Sequence, residues 1–123
     1  MNEIRLLGVV SSAPRKGFAG KTPLCEFDIY VPRPATGRDG PPKQEAFTVA
    51  AFGALSEALL PLIQPGDMVL VTGPLRQYTL PSTIGGPRVQ VCTVSANSVT
   101  FAPASVAAKL KQTFPSSVAI SAN

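Results

Sequence analysis

Apolar and polar positions alternate with a period of two along much of this chain. That period is the mark of strands burying one face. Residues 24–31, LCEFDIYV, show it most cleanly: Cys25, Phe27, Ile29 and Val31 take one face, and Leu24, Glu26, Asp28 and Tyr30 the other. Residues 45–52, EAFTVAAF, are free of Pro and Gly and set Phe47, Val49 and Ala51 against Ala46, Thr48, Ala50 and Phe52. Residues 2–10, NEIRLLGVV, place Ile4, Leu6, Gly8 and Val10 opposite Arg5, Leu7 and Val9, so both faces are partly apolar. A strand apolar on both sides is one covered on both sides. Two readings fit it: a strand lying beneath a helix, or an edge that pairs with a second subunit. Residues 68–80, MVLVTGPLRQYTL, form a further strand interrupted at Gly73-Pro74. There Val69, Val71, Gly73 and Leu75 share one face, Thr72, Arg76 and Tyr78 the other, and Gly73 marks a bend or bulge. Arg88 opens the last long strand, VQVCTV.

The period changes between residues 53 and 67. Gly53 ends the preceding strand, and Leu55, Leu59, Leu62 and Ile63 follow the i, i+4, i+7, i+8 spacing of a one-faced helix. Pro61 lies too deep to be a first-turn proline, so it kinks or ends that helix, leaving 62–64 as a turn. Pro65-Gly66-Asp67 is a turn before the next strand. Three other stretches read as loops: 11–22, with Pro14, Gly17 and Gly20; 32–44, with four prolines and two glycines; and 81–87, PSTIGGP. Residues 102–123 form a tail with one or two helical turns, too short to be stable alone.

The order of features from 45 to 78 resembles the core of bacterial-type single-stranded DNA-binding proteins. The residues that carry the likeness are Phe52-Gly53, Leu55, Glu57, Gly66, Val69, Val71, Gly73 and Leu75-Arg76, matched without a gap. Asn2, the aliphatic run and Gly8 are similar to the family's start, and Ala96, Val99 and Phe101 to its close. The resemblance implies an all-β fold: a five-stranded OB-fold barrel over residues 1–102 with one short helix, followed by a flexible tail over 103–123. Leu55, Leu59 and Ile63 would then plug the bottom of the barrel. It also implies assembly through the first strand, as a homodimer or homotetramer. Arg76 matches the family's backbone-binding Arg, and Phe52 one of its base-stacking aromatics. Four family features are missing. Ala46 and Leu80 stand where tryptophans are usual, and the loop over 32–44 has no aromatic. The tail contains no acidic residue and carries Lys109 and Lys111 instead, so recruitment of repair or replication proteins by an acidic tip is not carried over.

Composition adds a partner class and removes others. The 123 residues include 13 Pro and 10 Gly, which favours turns and short strands. The net charge is +4 and the pI about 9.4, a mild excess compatible with a phosphate-rich partner. No apolar run reaches the ~18 residues of a membrane span, and the N-terminus lacks a signal-peptide layout, so a cytoplasmic, nucleoid-associated setting is expected. With no His and no CxxC, no metal or other cofactor is expected. Cys25 and Cys92 read as small apolar strand residues, and a disulfide between them stays open. No enzyme chemistry is assigned, because neither Cys has a base beside it and the glycine pairs are turns without a following Lys-Ser/Thr.

Binding a single strand without chemistry needs cations for the backbone and π faces for the bases. The candidate cations are Arg15, Lys16, Lys21, Arg33, Arg38, Lys43, Arg76 and Arg88; the candidate rings are Phe18, Tyr30, Phe52 and Tyr78. Glu26 and Asp28, on the same strand face as Tyr30, oppose phosphate there. The expected function is sequence-independent coating and protection of single-stranded DNA in replication, recombination or repair. Two alternatives stand beside it: an accessory protein of the primosomal replication type, and an interaction subunit whose barrel face meets protein.

Overall fold

The computed structural model of the chain describes residues 1–33, 43–80, 86, 89–105 and 119–121; of Lys43, Leu80, Val89 and residues 119–121 only the backbone is described. The elements are β1 (Ile4–Val10), β2 (Arg15–Ala19), β3 (Thr22–Arg33), β4 (Lys43–Phe52), α1 (Ala54–Leu59), β5 (Met68–Gly73), β6 (Leu75–Leu80), β7 (Val89–Ser95), β8 (Ser98–Phe101) and β9 (Ala119–Ser121). Among the described residues they make one sheet in the order β6-β7-β4-β3-β1-β5-β8-β9, with β2 on the side of β3. All pairs are antiparallel except β4 with β7.

The sheet is a path of ladders and not a closed ring, yet the chain itself bridges its two arms. The strand expected over 68–80 is split by Pro74, which cannot donate to a ladder. Its first half, β5, pairs with β1; its second half, β6, pairs with β7 at the far end. Four hydrogen bonds from three residues hold the bend. The Ser95 amide donates to Pro74 O at 2.9 Å, and the Asn97 amide to Thr72 O at 2.7 Å. The Asn2 side chain donates to Leu75 O at 2.8 Å and accepts from the Leu75 amide at 2.9 Å. Gly73 is required by close approach: a Cβ there would run into the Ser95 carbonyl and stand 3.0 Å from the Asn97 nitrogen.

The alternation read from the sequence is the alternation that packs. Phe27, Ile29, Val49, Val69, Val71 and Val99 are fully buried, and Val10, Val94, Ala96 and Phe101 complete the wall of the core. Leu55, Leu59 and Ile63, at 1, 0 and 3 % exposure, close it from below, and α1 packs on β3 and β4. The helix starts at Gly53, whose φ of 65° suits glycine, and ends at Leu59 just before Pro61. The next turn is held by Asp67, whose carboxylate accepts from the Gln64 amide at 2.9 Å. That turn docks on the end of β1, with the Gly66 amide donating to Val10 O at 2.8 Å.

Two expectations need correction. Residues 11–22 are not wholly a loop: Arg15–Ala19 form β2, a hairpin partner of β3 whose turn residue Gly20 has φ 63°. Pro14 and Gly17 disguised it, because β3 is long enough to offer its edge to a weak strand. The cysteines differ from one another: both are free, with Cys25 in the core and Cys92 exposed. Beyond the expected barrel, Ala119–Ser121 pair with β8, and the Ser105 hydroxyl accepts from the Met68 amide at 3.0 Å. Of the helical turns expected over 104–114, the described residues include the start, with 103–105 helical, and 106–114 lie outside them.

The bend makes a simple prediction. Gly73→Ala forces backbone apart and is expected to lower unfolding stability by ~1–3 kcal/mol. Gly17→Ala, whose Cβ would meet nothing nearer than Leu24 at 4.0 Å, is expected to be close to neutral. Thermal denaturation of both variants checks the contrast.

Candidate nucleic-acid interface

The side of the sheet away from α1 carries the residues that alternation left outside the core. Strand register brings them into rows. On β3 and β4, Leu24 faces Phe52, Glu26 faces Ala50, Asp28 faces Thr48 and Tyr30 faces Ala46. Thr48 then meets Thr93 of β7, which meets Arg76 of β6. Tyr78 lies two pairs further along, opposite Val91. A cleft of about 250 Å³ opens where these strands meet, lined by Ala19, Leu24, Glu26, Ala50, Phe52, Tyr78 and Thr93. The lining is mostly apolar, with two rings and one carboxylate. Two of the lining residues, Ala19 and Ala50, are small and leave room between the larger side chains.

The structure therefore brings together Phe52 and Tyr78, with Arg76 two residues from Tyr78 on the same strand face. Tyr30 is exposed on the same side, between Val9 of β1 and Ala46 of β4. Phe18 is not brought in. It pairs with Pro23, as Lys16 pairs with Cys25, so both share the strand face opposite Leu24 and Glu26. Phe18 is 65 % exposed there. Lys21 sits in the β2–β3 turn and is exposed. Arg38, Arg88 and the Lys43 side chain lie outside the described residues.

Two of the expected cations already have partners. Arg15 forks onto Asp28, with Nη1–Oδ2 at 3.1 Å and Nη2–Oδ1 at 3.3 Å. The Thr48 hydroxyl also donates to Asp28, at 2.9 Å. The Arg15 fork, more than the Thr48 bond, holds the Asp28 carboxyl below the usual carboxylate range, against a smaller opposing effect of burial. Arg33 lies 3.7 Å from the Glu45 carboxylate across the same hairpin. These pairs answer the objection that Asp28 repels phosphate, since its charge is met. They also draw Arg15 and Arg33 away from a backbone. Among the described residues, Lys16, Lys21 and Arg76 make no ion pair. Burial pushes the Cys25 thiol up, in keeping with a packing role.

Leu24, Ala19, Ala50 and Thr93 were not among the residues expected at the site. Parity alone puts Leu24 and Ala50 on this face, but Ala19 needed the unrecognised β2 and Thr93 needed the β4–β7 pairing. Among the described residues, no group of three or more His, Cys, Asp or Glu could hold a metal ion, and no helix is long and apolar enough to cross a membrane.

The chain matches the model of the single-strand binding protein family over residues 1–102. No curated protein matches it. It is similar in structure to the SSB domain of a Synechococcus sp. protein, at 23 % identity and TM-score 0.60, covering 80 % of this chain and 93 % of that one. It is also similar to the small single-stranded DNA-binding protein of Streptomyces coelicolor, at 22 % identity and TM-score 0.63, covering 83 % and 94 %. At these identities the likeness carries the fold, and the fold is the OB fold, with its barrel left open here.

The Arg15–Asp28–Thr48 network has a signed pH dependence. A carboxyl with a depressed folded pKa stabilises the fold above its unfolded value and loses that contribution as pH falls through the folded value. Asp28→Asn is expected to cost about 0.5–1 kcal/mol near neutral pH, as for other partly exposed pairs. The difference from the native chain is expected to vanish once acid protonates Asp28. Denaturant melts of both proteins at neutral and acid pH check this.

Proposed function

The chain belongs to the single-strand binding protein family, and from that premise we propose that it binds single-stranded DNA by base stacking and phosphate neutralisation. Members of the family are non-enzymatic DNA-binding proteins. The observation that carries the reading is the cleft between Phe52 and Tyr78, with Arg76 beside it on β6. Ring faces accept any base, and a nearby guanidinium meets the backbone. Duplex DNA hides its base faces, so the geometry favours unpaired strands. In the cell the protein coats and protects strands opened in replication, recombination or repair, in the cytoplasm with the nucleoid.

A homo-oligomer completes the proposal. On the outer side of β1 and β5, Leu7 faces Leu70 and Val9 faces Met68. Leu7, Met68 and Leu70 are exposed at 55, 42 and 36 %. Among the described residues, Ile4–Gly8 pair only with β5, because the β3 partner begins at Val9. A second copy would cover that face, and linked sites would raise affinity through effective concentration. The engagement of Arg15 and Arg33 favours a second reading, a weak-binding accessory protein, which the same titration separates.

Labelled oligo-dT and a duplex of equal length, titrated at low and physiological salt, test the function. Tight, salt-sensitive binding with roughly 100-fold preference for the single strand is expected. Equal weak binding to both overturns it. Phe52→Ala and Tyr78→Ala are each expected to weaken single-strand binding by about 1–3 kcal/mol. For the assembly, Leu7→Glu with Leu70→Glu is expected to lower the mass measured by sedimentation to that of a monomer.

A further inference from the structure

We propose that Glu26 reads the base held in the Phe52–Tyr78 cleft, and that it favours bases bearing an exocyclic amine over thymine. This rests on the single-strand reading above and adds a base preference to it. Three observations carry it. Glu26 lines the cleft together with both rings. It is half-buried, on the β3 pair opposite Ala50, so a small side chain leaves its carboxylate room. The cation opposite it is committed elsewhere: Arg15 pairs with Glu26 in the β2–β3 ladder but turns its guanidinium onto Asp28, acting on Glu26 only through space. Among the described residues, no hydrogen bond or ion pair engages the Glu26 carboxylate. Asp28, two residues on, is neutralised by the Arg15 fork; Glu26 is left as a bare acceptor beside two stacking surfaces.

The chemistry of recognition follows from that acceptor. An ionised carboxylate only accepts hydrogen bonds. Cytosine offers its N4 amine, adenine its N6 amine, and guanine N1–H with its N2 amine, a two-point match. Thymine offers one N–H flanked by two carbonyl oxygens, which a carboxylate repels. Carboxylate pairing with the cytosine amine is an established mode of base readout. The cleft volume of about 250 Å³ lies below the ~300–1,000 Å³ of drug-sized ligand sites, a fit to one ring system. The phosphate backbone then stays outside, near Arg76, and the bare charge of Glu26 meets the base edge.

The test is a comparison of oligo-dC and oligo-dT of equal length on the full chain, its Glu26→Gln variant and its Glu26→Ala variant. Glutamine keeps the size and replaces one acceptor with a donor that thymine oxygens can take. The ratio of Kd for dT to Kd for dC is expected to fall by roughly three- to tenfold in Glu26→Gln. Glu26→Ala is expected to lower the ratio too, because the repulsion of thymine is gone. A ratio that stays unchanged in both variants, while the single strand is still bound in preference to duplex, overturns the role of Glu26 and leaves the function standing. Loss of that preference in the native chain overturns both. Circular dichroism of each variant confirms the fold, and a strand-face position that is only half-buried tolerates both changes.

Discussion

The turn of the backbone at Gly73-Pro74 is the constraint on which the rest of this structure depends. Proline removes a ladder donor, and glycine lets the backbone pass close to the Ser95 carbonyl. A single stretch of chain thereby serves both ends of the sheet, as β5 against β1 and as β6 against β7. Without the bend, β6 could not bring Arg76 and Tyr78 over β7 and toward Phe52. The groups the bend would strand are taken up by Ser95, Asn97 and the side chain of Asn2. The core walls then close around Phe27 and Ile29, and α1 fills the bottom with Leu55, Leu59 and Ile63.

On the outer face, small residues and charge pairing do the work of shaping a site. Ala19 and Ala50 open the cleft; Phe52 and Tyr78 frame it; Arg15 and Thr48 satisfy Asp28. The two carboxylates on β3 thus end in different states although they are two residues apart. Asp28 is locked in a fork, and Glu26 is open to whatever enters the cleft. On the proposed reading, affinity comes from ring faces, from Arg76, and from repetition of the site in an oligomer.

The β1–β5 outer surface belongs to the same argument. Leu7, Met68 and Leu70 expose apolar area that a lone subunit gains nothing by showing to water. The sequence marked β1 as apolar on both faces, and the structure shows which face is covered within the chain and which is left uncovered.

Alternation and punctuation were enough to read β1, β3, β4, β5 with β6, and β7, the plugging leucines, and the interruption at Pro74, because side-chain parity and proline chemistry are local. The two-faced β3, with Phe27 inside and Tyr30 outside, was legible for the same reason. What tertiary structure decided are the matters of pairing. β2 exists because the edge of β3 is free to receive it, and no local pattern around Gly17 announces that. Phe18 leaves the site because register, and not proximity in sequence, chooses its face. Arg15 goes to Asp28 and not to a phosphate because the hairpin sets them within hydrogen-bond reach. Thr93 and Ala19 enter the cleft through strands distant in the chain. Side-chain alternation is a property of one segment, and it determined which residues face inward. A binding site is a property of several segments in register, and only the folded sheet could bring those together.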